Sequence, residues 1–155
     1  MRSIYRDTIT VYNRRFVAIV QPPFPPGMGQ VRWDRTVIKG AKFRNNTQIN
    51  QTSEGASEIG HTVSVTIPAG ADQGGKTYVG PNEYAGLPQS DHSHWTIRTD
   101  IANPDFIILG EGREIGPLYT IADLEREFGD RRIARPRAVR GSEENGILQW
   151  KVTGV

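Results

Sequence analysis

Gly70-Ala71-Asp72-Gln73-Gly74-Gly75-Lys76-Thr77 has the spacing of a phosphate-binding loop, G-x-x-x-x-G-K-[ST], and it follows an alternating apolar run. Such a loop works only if Lys76 and Thr77 open a helix whose unpaired N–H groups and dipole receive the phosphates. Tyr78, Val79, Gly80 and Pro81 come next. Two β-formers and a Gly-Pro pair predict that no helix starts there, so residues 69–75 read as a flexible hairpin loop. A parallel-sheet crossover is not expected either, because residues 80–93 hold mainly prolines, glycines and polar residues. The sequence therefore predicts no nucleotide and no other cofactor.

Other chemistry is equally unsupported. His92 and His94 with Asp91, and His61 farther away, are of the right type for a divalent metal, and His-x-His on an extended segment points both rings to one face. The plainer expectation is a polar loop with solvated histidines and no metal. Zero cysteines remove thiolate nucleophiles, disulfides and Cys-ligated zinc together. No nucleophile elbow or HExxH helix is present, and the Asp34-Arg35 and Glu143-Glu144 pairs fall on a strand and a turn that face water. The chain reads as a protein without catalytic residues.

Arg131, Arg132, Arg135, Arg137 and Arg140 crowd one stretch around Pro136, which marks a sheet edge or a bulge. An arginine-rich edge can meet an acidic neighbour or a nucleic acid, or merely guard against unwanted strand pairing. With Asp123, Glu125, Glu127 and Asp130 before it and Glu143 and Glu144 after it, a protein partner or local ion pairing is the expected use.

These residues must be positioned by strands. Period-2 alternation places strands near residues 8–13, 16–20, 31–43, 62–67, 76–79, 95–98, 106–109, 133–139 and 147–152. In the third of these, Val31, Trp33, Arg35 and Val37 share one face. Val63, Val65 and Ile67 point one way and Thr62, Ser64 and Thr66 the other, so that strand has one wet face. One helix is expected, with Thr120 as N-cap, Asp123 three residues on, and Ile121, Leu124 and Phe128 at helical spacing before Gly129. Many short strands, 17 glycines and 10 prolines predict a mainly β single domain over residues 1–155, a barrel or sandwich of short antiparallel strands with one short helix.

Three connections stand out. Residues 21–30 hold four prolines around Phe24 and suit a rigid hairpin connection. Residues 45–60 are polar and read as a long loop between strands, and residues 80–93 read as irregular. Trp33, Trp95 and Trp150 sit in strand patterns and are expected in the core rather than as stacking platforms. A net charge of +2, from 19 basic and 17 acidic residues, names no partner. No apolar run is long enough for a signal peptide or a membrane span, so a soluble, unexported protein is expected.

The order of the pieces is itself informative: Asp7 to Asn13 as DTITVYN, Trp33 to Gly40 as W-x-R-T-V-I-K-G, the alternating Val63-x-Val65-x-Ile67-Pro68, Trp95-Thr96-Ile97, a hydrophobic run ending at Gly110-Glu111, and a terminal Trp150-Lys151-Val152-x-Gly154. Together they resemble a family of small head-completion or connector proteins of tailed bacteriophages of Gram-positive hosts, of the minor capsid and head–tail stopper kind. The resemblance implies a structural virion protein, assembled in the host cytoplasm, that forms a homo-oligomeric ring at the neck. Its implied partners are copies of itself, the adaptor or portal side, the tail side, and packaged DNA passing through the channel without sequence-specific binding.

In that reading Asn45, Asn46, Thr47, Gln48, Asn50, Gln51, Thr52, Ser53 and Glu54 form a channel or inter-ring loop, and the arginine group contacts a neighbour. Other phage roles consistent with the pattern are an adaptor, a tail terminator or another tail-completion protein. A carbohydrate- or receptor-binding β-sandwich using the three tryptophans is the alternative of a different class.

Overall fold

A computed structural model of the chain describes residues 5–18, 29–51, 57–88, 90–99, 105–129, 132–144 and 147–154. The strands are β1 (Asp7–Ala18), β2 (Gly29–Gln51), β3 (Ser57–Pro68), β4 (Thr77–Tyr78), β5 (His94–Trp95), β6 (Phe106–Leu109), β7 (Ile133–Ala134), β8 (Pro136–Glu144) and β9 (Ile147–Gly154). Two helices accompany them, α1 (Pro81–Ala85) and α2 (Ile121–Phe128).

Seven strands make one antiparallel sheet in the order β7-β6-β1-β2-β3-β9-β8, and β4 and β5 form a separate parallel pair. The ends of the large sheet are linked through a single residue. β7 pairs with β6 at one edge, and after Arg135 the chain enters β8, which pairs with β9 at the other. The sheet is thus a nearly closed, barrel-like structure. Gly154 makes the closure possible: a Cβ there would run into the backbone carbonyl of Arg135. Pro136, which cannot donate a ladder hydrogen bond, sits at a register shift between Pro136 and Ala138, as its place among the arginines predicts.

Alternation sets the core. Ile9, Val11, Ile38, Val63, Val65, Ile67, Ile107 and Val152 point inward and are fully buried with Trp95 and Ile97. A second cluster lies on the outer side of β1, β6 and β7, where Tyr12, Phe106, Ile108 and Ile133 are covered by Leu124 of α2. The helix forms as its sequence predicts. The Thr120 hydroxyl accepts from the Asp123 N–H, the Asp123 carboxylate accepts from the Thr120 N–H, and Leu124 projects from the apolar face.

Several expectations change. β1 runs unbroken from Asp7 to Ala18, absorbing the separate strand expected at 16–20, and of the expected 95–98 strand only Trp95 is paired, in β5 (His94–Trp95). Residues 45–51 and 57–60 are a β-ladder, Asn45↔Val63 to Gln51↔Ser57, where a loop was expected. Backbone pairing extends a hairpin without an apolar face, so polarity alone did not mark a loop. Thr52, Ser53 and Glu54 lie outside the described residues, as do residues 21–28 of the proline-rich connection.

Residues 80–93 contain α1, started by Gly80 as N-cap with Pro81 in its first turn. Proline ends helices but is favoured at their first position, so the Gly-Pro pair opens a turn of helix here. Residues 69–75 do not close a hairpin. They lead from β3 to β4 and are pinned to β2 by a bridge between Lys39 and Asp72.

Candidate functional site

Two hairpins run past the barrel as two-stranded arms at opposite ends of β2. The first is the ladder Asn13↔Asp34 to Ala18↔Gly29, beyond the stretch of β1 (Ile9–Tyr12) that pairs with β6. The second is Asn45↔Val63 to Gln51↔Ser57, whose outer part lies beyond the stretch of β3 (Val63–Pro68) that pairs with β9. Among the described residues neither arm has a further strand beside it.

On β2 the interior face is not the apolar one. Val31, Trp33, Arg35 and Val37 are half-buried on the outer side, whereas Asp34, Thr36 and Ile38 are buried. Asn13 continues the inward parity of Ile9 and Val11, so a carboxamide and a carboxylate face each other at the barrel mouth. Burying them requires partners. Asn13 Nδ2 donates to the Thr96 carbonyl (2.9 Å) and to Asp105 Oδ2 (3.1 Å), and its Oδ1 accepts from the Thr96 N–H. Asp105 is clamped by the Arg98 guanidinium (2.6 and 2.7 Å) and accepts from the Arg14 N–H. Asp34 accepts from Arg32 and, through Oδ2, from the Tyr84 hydroxyl (2.8 Å).

These groups fasten the segment from Val79 to Arg98 across the first arm. Tyr84 of α1 lies between the Arg15 and Arg98 guanidiniums, 5.2 and 5.6 Å from its ring centre. Arg15 donates to the carbonyls of Leu87 and Pro88, and Arg32 to that of Asp91. Burial, reinforced by the Asp34 charge, pushes the Tyr84 phenol far above its usual range, so it serves as a hydrogen-bond donor throughout. Part of the signal for this clasp was present in the sequence, since Asn13 breaks the apolar alternation of Ile9 and Val11 on the inward side of β1.

The loop that matches a phosphate-binding pattern does different work. Thr77 is in β4, not at the start of a helix, and the Lys76 ammonium donates to the Arg35 carbonyl. Burial lowers its pKa. Gln73 accepts from the Trp95 indole N–H (2.9 Å), which ties the loop to the core.

His94 Nδ1 is 2.6 Å from Asp91 Oδ2, and the exposed His92 ring is 4.0 Å from Asp34 Oδ1, so the two rings serve different acids. No group of three or more metal-binding side chains occurs among the described residues. Trp95 is fully buried and packs edge-on to Tyr78 and Trp150, and Trp33 packs on Phe106.

The arginine group is dispersed. Arg132 folds back onto the Leu109 carbonyl and over the Phe128 ring, and Arg135 pairs with Glu125 of α2 at 2.7 Å. Arg137 and Arg140 are exposed on β8, and Arg131 lies outside the described residues. Local ion pairing thus accounts for Arg135, while Arg137 and Arg140 remain available to a partner. A surface pocket of about 610 Å³ beside α2 is lined in part by Arg113, Tyr119 and Glu127. Those three are bound to one another, with Arg113 forked onto Glu127 and the Tyr119 hydroxyl 2.6 Å from the same carboxylate.

No helix of the described residues is long and apolar enough to cross a membrane. No curated protein and no solved structure matches the chain. One family model does, over residues 4–155, and the chain accordingly belongs to DUF6751, a family of unknown function.

Proposed function

We propose that this chain is a structural protein of a tailed-phage virion, a head-to-tail connector of the stopper type that forms a ring at the neck. The observation that carries the reading is the pair of arms. β2 is 23 residues long, a contour of about 70 Å at the usual rise per residue, several times an ordinary strand. An isolated two-stranded hairpin is at best marginally stable in water. The first arm is braced by the clasp; the second gains most if copies of the chain pack beside it. Cyclic symmetry supplies such neighbours to every subunit at once. In a ring the arm from Asn45 to Thr62 lines the channel or reaches the adjacent ring, and DNA passes without being read.

Electron microscopy of purified virions tests the proposal. The chain is expected as a closed ring between head and tail, and deletion of residues 47–57 should leave a folded subunit that no longer retains DNA or joins tails. Absence of the chain from virions rules out the role. Normal particles carrying the deletion rule out the arm's part in it.

A further inference from the structure

The register of β2, β3, β9 and β8 brings together basic residues that lie far apart in the chain. Lys42 pairs with Thr66, Thr66 with Lys151, and Lys151 with Arg140. Directly paired residues share a face, so this is one row across four strands. The next row on that face is Arg44, Ser64, Thr153 and Ala138. The residues between these rows, Phe43, Val65, Val152 and Val139, pack into the core, which places both rows on the outside.

Among the described residues Lys42, Arg44 and Arg140 take part in no salt bridge. Arg137, the extra residue at the β8 register shift, is exposed beside them. Among the described residues the acid nearest in register is Asp7, which pairs with Ala41 and spends its carboxylate on the Phe43 N–H (2.9 Å); Glu58 and Glu144 occupy positions farther along the ladders toward the hairpin ends.

We infer that the outer face of β2, β3, β9 and β8, through Lys42, Arg44 and Arg140, binds the phosphate backbone of double-stranded DNA without reading its sequence. Three strand spacings span about 14 Å, a length of duplex that carries about eight phosphates, enough to engage Lys42, Arg44 and Arg140 together. Between the charges stand the hydroxyls of Ser64, Thr66 and Thr153, donors of the type that position phosphates. Neither row contains an aromatic or large aliphatic side chain. A protein partner normally requires such anchors at the centre of its interface, and a single strand of nucleic acid requires stacking platforms; a duplex backbone requires neither. The inference does not depend on ring assembly, because the isolated chain reports on it.

Fluorescence anisotropy with a short labelled duplex of mixed sequence is the test. Three phosphate contacts, from Lys42, Arg44 and Arg140, give a slope of log K against log salt of about −2.7, or roughly fortyfold weaker binding on going from about 50 to about 200 mM salt. The triple variant Lys42→Ala, Arg44→Ala, Arg140→Ala should bring that slope close to zero and bind at least tenfold more weakly at low salt, with an unchanged melting temperature. If the triple variant fails to fold, Arg44→Ala alone should flatten the slope by about one. Arg126→Ala, an exposed arginine on α2, should leave binding as it is. Absence of binding at low salt overturns the inference. So does equal weakening by Arg126→Ala, or displacement of the duplex by polyglutamate at matched charge, which assigns the face to an acidic protein.

Discussion

β2 passes through both halves of the barrel-like sheet, and the halves are covered differently. Around β1, β6 and β7 both faces are buried, the inner in the barrel and the outer beneath α2 and the segment from Gly110 to Arg113. That segment lies so close that a Cβ on Gly112 would meet the Tyr12 hydroxyl, and its amide donates to the Thr10 hydroxyl. Around β3, β9 and β8 the inner face is buried and the outer is basic and more exposed, with Gln149, bound by the Tyr5 hydroxyl, buried on it. The difference is written in the strands: Phe106-Ile107-Ile108-Leu109 is a continuous apolar run, whereas Val63-Ser64-Val65-Thr66-Ile67 alternates. The first half is packed on both faces, and the second half has a face to offer.

The strongest challenge to this contrast is a pair of truncations. Leu124→Ala removes the fully buried side chain that closes the outer cluster, and an expected loss of about 2–5 kcal/mol in urea denaturation follows from the cavity it leaves. Thr66→Ala, on the outer face of the second half, should change stability by no more than about 0.5 kcal/mol. Equal costs would mean that α2 is not part of the cooperative unit.

A smaller effect separates two glycines near the closure. Gly154→Ala drives a methyl into the Arg135 carbonyl, and because that atom is backbone the neighbour cannot simply rotate away. A loss of about 1–3 kcal/mol is expected. A Cβ on Gly141, on the same pair of strands, would meet nothing within 4 Å, and Gly141→Ala should be within about 0.5 kcal/mol of neutral. Thermal melts of the two variants side by side decide whether the Arg135–Gly154 crossing holds the barrel shut.

The covered half was the more legible of the two. Four consecutive apolar residues predicted β6 to the residue, and a capping pair with helical spacing predicted α2, because both signals are local. The mouth of the barrel was misread on β2 because its inward residues are polar. Trp33 and Val37 look like core, and hydrogen bonds from Tyr84 and Arg32 offset the burial of Asp34. The basic face was illegible for another reason. Lys42 and Lys151 become neighbours through the pairing of β3 with two other strands, and register across such separations leaves no trace in composition or spacing. The second arm was missed because its sequence is polar apart from the paired Ile49 and Ile59, and so carries no hydrophobic period.

The least effect is expected in the segment from Val79 to Arg98 that straps the first arm, and it sharpens the contrast by asking whether an exposed turn matters at all beside the buried clasp. Asp91 accepts from the Ser93 N–H (2.7 Å) and the Ser93 hydroxyl (2.9 Å), with His94 Nδ1 at 2.6 Å. The Ser93 backbone bond is the chief cause that holds its carboxyl down at about 2, below the ordinary 3.8. Because the folded value is the depressed one, the turn's contribution is complete above the ordinary carboxylate range and disappears as pH falls toward about 2. Asp123, held down by the Thr120 N–H, and Glu127, held down by Arg113, move in the same direction on α2. Asp91→Asn should therefore melt below the wild type at pH 5, with the difference vanishing near pH 2. Parallel melting curves at the two pH values would show that the turn contributes nothing and that the buried contacts of Asn13, Asp34 and Asp105 hold the strap unaided.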